Sequence, residues 1–205
     1  MGEIRTIFFD IGGVLLTNGW DRHHRRRVIE EFDLDWDEFE DRHVFVAHEF
    51  EAGGITLDSY LDRTVFYRSR SFTREQFVDA ILDESQELPG TRSVLEGLRA
   101  SRRYLMATLN NESRELNRHR IERFRLQEIF DAFFTSSFLG KSKPDPAIFH
   151  TALDITQTAP ADALFVDDRA INVEAAADVG LNVIQFESPE QLRSGLEGFG
   201  LEVSS

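Results

Sequence analysis

The sequence of 205 residues contains no cysteine. Disulfide bonds, thiol nucleophiles and cysteine-ligated metal sites are therefore excluded. The sequence also lacks an apolar run of the roughly 18 to 20 residues that a membrane-spanning helix needs. Its first residues, MGEIRTIFFD, lack the basic segment with which a secretion signal begins. We therefore expect a cytoplasmic protein with no membrane partner.

Positive charge is scarce as well. Lys and Arg number 23 against 37 Asp and Glu, which gives a formal net charge of -14. A field of this sign disfavours nucleic acid as a partner, and a phosphate site must be built locally from a cation, a lysine and backbone amides. The basic cluster RHHRRR at 22–27 is the exception. It is either a solvated helix face or a contact to a substrate or partner, and the oligomeric state stays open.

Five short apolar runs are spaced along the chain. They lie at residues 4–9, 104–109, 132–135, 163–166 and 182–186. Their length and nearly continuous apolar character are typical of parallel strands that are buried on both faces. Helical patterns separate the later runs; Pro146 opens one of these helices and Gly180 closes another. This alternation predicts an α/β fold with a Rossmann-like parallel sheet.

Residues 18–88 contain no strand pattern. Apolar and aromatic residues recur there at helical spacing, most clearly in FVDAIL at 77–82, which indicates a packed helical core rather than a cofactor site. Pro89-Gly90 marks a boundary at the end of this stretch. We therefore predict an inserted α-helical cap at 18–88 and an α/β core formed by residues 1–17 and 89–205.

Polar residues and glycines follow four of the apolar runs. Because ligands of open α/β sheets bind outside the carboxyl ends of the strands, these residues are the candidates for a functional site. In chain order they are Asp10, Gly12, Gly13, Asn110, Asn111, Lys141, Lys143, Asp167 and Asp168.

These four groups, in this order, resemble the motifs of the haloacid dehalogenase superfamily, in its subfamily IA with a helical C1 cap. GKSKPDPAIF at 140–149 and LFVDDRAINVEAA at 164–176 are particularly similar to the family pattern. FEAGGIT at 50–56 resembles a recurrent cap turn of the sugar-phosphate phosphatases, and Gly12 is shared with the glucose-1-phosphate-type branch. The resemblance implies a phosphate-ester hydrolase that acts on a small phosphorylated metabolite, with sugar phosphates among the candidates.

The resemblance also implies a role for each motif. Asp10 would attack phosphorus and form an aspartyl-phosphate. A carboxylate is a poor nucleophile toward an anionic phosphate unless charge is neutralised, and Mg²⁺ would neutralise it. The ion would be held by Asp10, the backbone carbonyl of Gly12 and Asp168, with Asp167 beside them, since hard oxygen ligands suit Mg²⁺.

The remaining motifs would bind the phosphoryl group. Lys143 matches the lysine that pairs with the nucleophile and the phosphate, although Lys141 is close enough to be an alternative. The other phosphate contacts would come from Asn110, Asn111 and backbone amides there and at Gly12 and Gly13. Positioning and charge stabilisation of this kind dominate phosphoryl transfer.

Three positions depart from the usual phosphatase pattern. Gly12 stands where most members carry a second Asp, an acid/base whose loss typically lowers the rate by about 10²–10⁴. Leu109 replaces a phosphate-binding Ser or Thr, and Asn172 replaces a frequent acid. We expect reduced activity and a preference for anomeric, acyl and aryl phosphates, whose leaving groups need little protonation. Alternatively, a cap histidine supplies the proton, and the candidates are His23, His24 and His48.

Two other functions stay open. A 2-haloacid dehalogenase shares the nucleophile and also lacks the second Asp, but such enzymes work without metal. Paired acids at Asp167-Asp168 would be counterproductive around their anionic substrates, so this pair favours the phosphatase. A catalytically degenerate domain that binds a phosphorylated ligand or a protein partner is compatible with Gly12 and Leu109.

Overall fold

Residues 3–204 of the computed structural model can be described, and they contain a five-stranded sheet with helices on both faces. Residues 1, 2 and 205, which the predicted core includes, lie outside this range. The strands are β1 (Thr6–Phe9), β2 (Leu105–Asn110), β3 (Ala132–Thr135), β4 (Ala163–Asp167) and β5 (Asn182–Gln185). They lie in the order β3-β2-β1-β4-β5, and every neighbouring pair is parallel. The predicted α/β fold with a Rossmann-like sheet is confirmed.

Ten α-helices are found in the described part of the chain. They are α1 (Arg22–Glu31), α2 (Trp36–Glu51), α3 (Leu57–Thr64), α4 (Arg74–Asp83), α5 (Thr91–Ala100), α6 (Arg114–Arg123), α7 (Ser136–Leu139), α8 (Pro146–Thr156), α9 (Ala170–Val179) and α10 (Pro189–Gly198). Asp145 caps α8 by accepting the amide hydrogen of Ala147 (2.8 Å), and Gly180 ends α9 with a left-handed φ of 98°. Within residues 3–204, no helix combines the length and apolar character that crossing a bilayer requires.

Two apolar clusters cover the two faces of the sheet. One contains Ile7 and Phe9 together with side chains of α5 and α10, and the other contains Phe8 with side chains of α8 and α9. These three side chains of β1 are fully buried. Successive strand residues point to opposite faces, so a strand covered on both sides is apolar at most positions. The one polar residue of β1, Thr6, bonds the hydroxyl of Thr158 (2.8 Å).

Helices α1 to α4 pack around a third apolar cluster, which is rich in aromatic side chains. Two adjacent chain segments connect these helices to the sheet, and they meet at an antiparallel bridge between Leu16 and Glu87. The Thr17 amide donates to the carbonyl of Gln86 (2.8 Å), and the Leu88 amide donates to that of Leu15 (2.9 Å). The predicted boundaries after residues 17 and 88 fall beside this bridge, and the division into a cap and a core stays a prediction.

The strand order places a crevice at the carboxyl end of β1. From this central strand the chain continues to β2 on one side, and β4 lies on the other. Phe9 is in register with Thr108 of β2 and Val166 of β4. Asp10, which follows β1, and Asp167, the last residue of β4, therefore reach the same edge of the sheet, where ligands of such folds bind.

Candidate active site

A buried lysine connects the ends of two strands. The Nζ of Lys143 lies 3.1 Å from Oδ2 of Asp10 and 2.6 Å from Oδ2 of Asp167. The Lys143 side chain is 1% exposed. Lys141 instead lies at the surface, where its Nζ donates to Oγ1 of Thr151 (2.6 Å). Of the two sequence candidates, Lys143 is the one that faces the site.

The two asparagines after β2 hold other parts of the protein. Asn111 accepts the amide hydrogen of Lys143 at Oδ1 and donates to the Lys143 carbonyl from Nδ2, each over 2.8 Å. Asn110 donates to Oδ1 of Asn117 (3.0 Å) and accepts from Oγ1 of Thr135 (3.2 Å). Both side-chain amides thus have protein partners. Asn111 positions the lysine, and backbone groups are left for phosphate contacts at this strand end.

Asp167 accepts hydrogen bonds at both carboxylate oxygens. Besides Lys143, it accepts from the Arg169 amide (2.8 Å) and from Nδ2 of Asn172, which lies 3.1 Å from each oxygen. The side chain has no exposed surface. Asn172 stands where the family often has an acid. Its side-chain amide donates a hydrogen bond to Asp167, which an ionised carboxylate could not do. These contacts fix the Asp167 side chain, which in turn orients Lys143.

Three carboxylates converge at the end of β1 and β4. Asp10, Asp167 and Asp168 each offer an oxygen, and these oxygens all lie within 4.8 Å of one another. Oδ1 of Asp168 is buried and has no hydrogen-bond partner in residues 3–204, so it is available to a cation. Gly13 has a φ of 76°, and a Cβ there would come within 2.3 Å of Oδ2 of Asp168. The donor set and its free oxygen fit a hard divalent cation such as Mg²⁺.

Burial shifts the titration of two of these carboxylates. It raises the pKa of Asp10 to about 7; Lys143 partly offsets this rise and Asp167 adds to it. Burial, and then the charge of Asp167, also raise the pKa of Asp168. A cation bound among these groups would favour their ionised forms and so lower both pKa values.

A cavity of about 400 Å³ lies between the sheet edge and helices α1 and α2 of the predicted cap, which form the cap side of the cavity. The sheet side contributes Asp10, Gly12, Asn111, Lys143 and Arg169, and the cap side contributes Trp20, Arg22, Arg25, His43, Phe50 and Glu51. A cavity of this size holds a small metabolite. Arg22 and Arg25 belong to the basic cluster, whereas Arg26 and Arg27 of that cluster pair with glutamates at the surface. The cluster therefore contributes both a cavity wall and a solvated face.

Two family positions differ in their surroundings. A Cβ on Gly12 would lie 2.9 Å from Oδ1 of Asn18, so the Asn18 side chain occupies the space where a residue-12 side chain would begin. Leu109 is fully buried in the apolar cluster that contains Phe8. It does not line the cavity within the described part of the chain.

A histidine that the sequence reasoning missed lines the cavity from α2. Nδ1 of His43 lies 2.8 Å from the hydroxyl of Tyr60, and this hydroxyl accepts from Nε1 of Trp20 (3.2 Å). The hydroxyl hydrogen is therefore free to bond Nδ1, which leaves the imidazole hydrogen on Nε2. Burial, and then Arg25, lower the pKa of His43 to about 4. His43 is a neutral hydrogen-bond donor and a poor source of a proton.

The three histidines proposed as proton donors lie elsewhere. None of His23, His24 and His48 lines the cavity within the described residues. His24 bonds the Asp21 carboxylate through Nδ1 (2.6 Å). The sequence does contain a signal for His43. This residue lies on the aromatic stripe of α2, four residues after Phe39, on which it stacks.

Comparison with known proteins gives concordant findings. The family model described as haloacid dehalogenase-like hydrolase matches residues 4–180. Flavin mononucleotide hydrolase 1 of Arabidopsis thaliana is 30% identical over 164 residues, which cover 80% of this chain but only 65% of that protein. D-ribitol-5-phosphate phosphatase of Bacteroides thetaiotaomicron is 26% identical over 94% of this chain and 97% of its own length.

A solved structure has the same fold. It is a HAD family enzyme of Bacteroides thetaiotaomicron in complex with magnesium and inorganic phosphate. It superposes with a TM-score of 0.75 at 21% identity and covers 90% of this chain and 94% of its own.

Proposed function

The chain belongs to the haloacid dehalogenase-like hydrolase family, and from that premise we propose that it is a Mg²⁺-dependent phosphatase with Asp10 as the nucleophile. One observation carries the proposal. A single buried ammonium group, Nζ of Lys143, bridges Asp10 and Asp167, and Asp168 lies beside them with a free buried oxygen. This arrangement supports a nucleophile at Asp10, a fixed cation at Lys143 and a site for a second cation beside them.

The residues divide the work in the first step. An oxygen of Asp10 forms a bond to phosphorus while the bond from phosphorus to the ester oxygen breaks, which gives an aspartyl-phosphate and releases the alcohol. Lys143 faces the negative charge on the phosphoryl oxygens, in the orientation fixed by Asp167 and Asn111. Mg²⁺ would be held by Asp10, Asp168 and the carbonyl of Gly12, and when bound it supplies neutralisation of phosphoryl charge. Backbone amides at Gly12 and Gly13 would contact the phosphoryl oxygens.

A small phosphorylated metabolite is the substrate class that we propose, with sugar phosphates as its leading members. The cavity volume of about 400 Å³ supports a small substrate. Two relatives are described as acting on flavin mononucleotide and on ribitol phosphate, which supports a phosphate monoester. Aromatic side chains at Trp20 and Phe50 offer an apolar surface for the organic part.

The carboxylate trio argues against the dehalogenase alternative. Three acidic side chains around one point, without a metal, would repel a haloacid anion, whereas they suit a divalent cation. The degenerate-domain alternative leaves the bridging geometry of Lys143 without a chemical purpose. Both alternatives are separated from the proposal by the experiment below.

The test is hydrolysis of p-nitrophenyl phosphate by the purified protein with Mg²⁺, with EDTA and with Mg²⁺ restored after EDTA. We expect turnover that requires Mg²⁺ and falls to background in Asp10→Asn. A matched control is Asp41→Asn, because Asp41 is an exposed residue of α2. Turnover that persists in EDTA, or in Asp10→Asn, would contradict the proposal. Inactivity of the wild-type protein toward a panel of phosphate esters would favour a binding domain.

A further inference from the structure

Three carboxylates line the cavity in addition to the Asp10 carboxylate. They belong to Asp21, Glu51 and Glu112. The question that Gly12 raises is which side chain, if any, protonates the leaving group. A suitable carboxyl group must face the cavity and must accept a proton readily. The three candidates differ in this respect.

Two of these carboxylates are engaged. Asp21 caps α1, accepts the amide hydrogens of His23 and His24, and bonds the ring of His24. Glu112 is buried and pairs with Nη1 of Arg120 (2.9 Å), while its other oxygen accepts the amide hydrogen of Ser113 (2.8 Å). A proton on Glu112 would weaken its ion pair with Arg120. Burial acts to raise the pKa of Asp21, but the hydrogen bonds from His24 outweigh it, so the pKa of this carboxyl group is lowered.

Glu51 is the uncommitted carboxylate. Its side chain makes no hydrogen bond or ion pair with any other described residue, and Glu51 is an exposed residue that lines the cavity. Desolvation of its carboxyl group by the cavity wall, and then the carboxylate of Glu112, raise the pKa of Glu51. Arg25, Arg169 and His48 act in the opposite direction. The carboxyl group of Glu51 therefore holds a proton more readily than an ordinary glutamate does.

A short series of contacts fixes the backbone of Glu51 relative to the strand end that carries the proposed reacting groups. The hydroxyl of Ser136 donates to the Glu51 carbonyl (2.6 Å) and accepts the amide hydrogen of Glu112 (2.9 Å). Glu112 follows Asn111, which holds the backbone of Lys143. The end of α2 is thus attached to the core beside the strand end that positions the lysine.

The turn after Glu51 brings the end of α2 into close contact with α7. Gly53 has a φ of 76°, and a Cβ there would lie 2.3 Å from the carbonyl oxygen of Ser137. Only glycine allows the cap to approach α7 so closely at this point. This turn is part of the segment FEAGGIT, so the motif has a physical function: it presents Glu51 to the cavity.

We infer that Glu51 is the acid/base residue that compensates for Gly12, which rests on the proposed phosphatase function. In the first step, Asp10 bonds to phosphorus, the bond from phosphorus to the leaving oxygen breaks, and the Glu51 proton passes to that oxygen, which departs as an alcohol. In the second step, water attacks phosphorus, one water proton passes to Glu51, and the bond to Asp10 breaks. Ester and water give alcohol and phosphate, and both carboxyl groups are regenerated.

The leaving group provides the test. We would measure kcat/KM for p-nitrophenyl phosphate and for glycerol 1-phosphate in the wild type and in Glu51→Gln, with Mg²⁺. Only the alkyl ester needs a proton as it departs, so its kcat/KM should fall by about 10²–10⁴, while that of the aryl ester changes little. The second step follows the irreversible release of alcohol and does not enter kcat/KM. In Glu51→Gln, the preference for aryl esters that Gly12 predicts should therefore emerge.

Glu49→Gln is the matched control. Glu49 lies two residues away on α2, pairs with Arg63 (3.0 Å) and does not line the cavity in the described structure. Thermal unfolding would show that both variants fold. Equal losses on both esters, or no loss on either, would overturn the role of Glu51. So would a wild-type enzyme that hydrolyses only the aryl ester, although the phosphatase proposal would then survive. A wild type inactive on both esters contradicts the phosphatase proposal itself.

Discussion

The two sides of the cavity differ in how their polar groups are used. On the sheet side, the side chains of Lys143 and Asp167 are 1% and 0% exposed, and each bonds at least two protein groups. On the cap side, Glu51 is exposed and unpaired among the described residues, and His43 offers a free donor. We infer from this difference that a bound phosphoryl group would contact a fixed arrangement of charges. The leaving group would contact side chains that are free to bind it.

Replacement of the central lysine should have the largest effect. Lys143→Met would remove the cation that we propose to face the phosphoryl group, and loss of one such preorganised contact lowers the rate by about 10²–10³. It also leaves the buried Asp167 without its charge partner, which should destabilise the fold by about 3–5 kcal/mol. Steady-state kinetics and urea unfolding would measure the two effects.

Lys141→Met is the control for this prediction. Lys141 bonds Thr151 at the surface, so its loss should leave kcat and the unfolding free energy almost unchanged. A Lys143→Met variant that keeps wild-type kcat would mean that the sheet side is not the fixed half of the site.

A second prediction concerns the junction of the two sides. Arg120 is buried and donates to Oγ of Ser85 (3.0 Å) and to the carbonyl of Asn18 (2.8 Å), one residue on each connecting segment, while pairing with Glu112. Arg120→Met would leave the buried Glu112 unpaired. The free energy of unfolding by urea should fall by about 3–5 kcal/mol.

The control for the junction is Arg123→Met on the same helix. Arg123 is 44% exposed and lies 3.5 Å from Asp83, and exposed pairs of this kind contribute at most about 1 kcal/mol. Equal effects of the two substitutions would argue that Arg120 does not join the cap helices to the sheet.

The sheet side was largely predictable from the sequence. Asp10 and Asp167 each follow a buried apolar run, and parallel strands bring the residues after such runs to one edge. What could not be predicted there is the use of the side chains. Asn111 holds the backbone of Lys143, and this pairing depends on a loop path across 32 residues. The sequence shows Asn172 only as a departure from the family pattern. Its hydrogen bonds to Asp167 depend on where helix α9 begins relative to β4, which the sequence does not specify.

A third prediction compares two adjacent glycines. Gly13→Ala forces a left-handed residue to carry a Cβ 2.3 Å from Asp168 Oδ2, so Asp168 must move. Displacing a metal ligand through its neighbour lowers metal affinity by about 10–100-fold. Calorimetric titration with Mg²⁺ would measure it.

Gly12→Ala is the matched control. Its Cβ would come closest to Oδ1 at the end of the Asn18 side chain, 2.9 Å away, with the Asn18 Cα at an ordinary contact distance of 3.4 Å, and Gly12 does not have a left-handed φ. Mg²⁺ affinity should stay near the wild-type value. If both substitutions weakened Mg²⁺ binding equally, the contact with Asp168 would not be the cause.

The cap side was less predictable, and the reason is physical. An aromatic stripe at helical spacing predicts that a helix is buried, but not which residues at its end reach a cavity in another part of the chain. FEAGGIT was recognised as a turn, yet the function of Glu51 depends on the contact between Gly53 and Ser137, which are 84 residues apart in the sequence. His43 lies within the stripe, and its sequence neighbourhood resembles that of any buried residue.

The smallest expected effect tests the cap side alone. Tyr60→Phe removes the hydroxyl that bonds both His43 and Trp20, and leaves two buried groups without that partner. The free energy of unfolding should fall by about 1–3 kcal/mol. Because His43 would lose its fixed orientation, KM for a sugar phosphate should rise while kcat changes little. The control is Tyr104→Phe on the sheet side, whose hydroxyl has no hydrogen bond to the described residues. A fall in kcat with unchanged KM would instead place Tyr60 and His43 with the groups that act on phosphorus, and the contrast between a fixed sheet side and a selective cap side would fail.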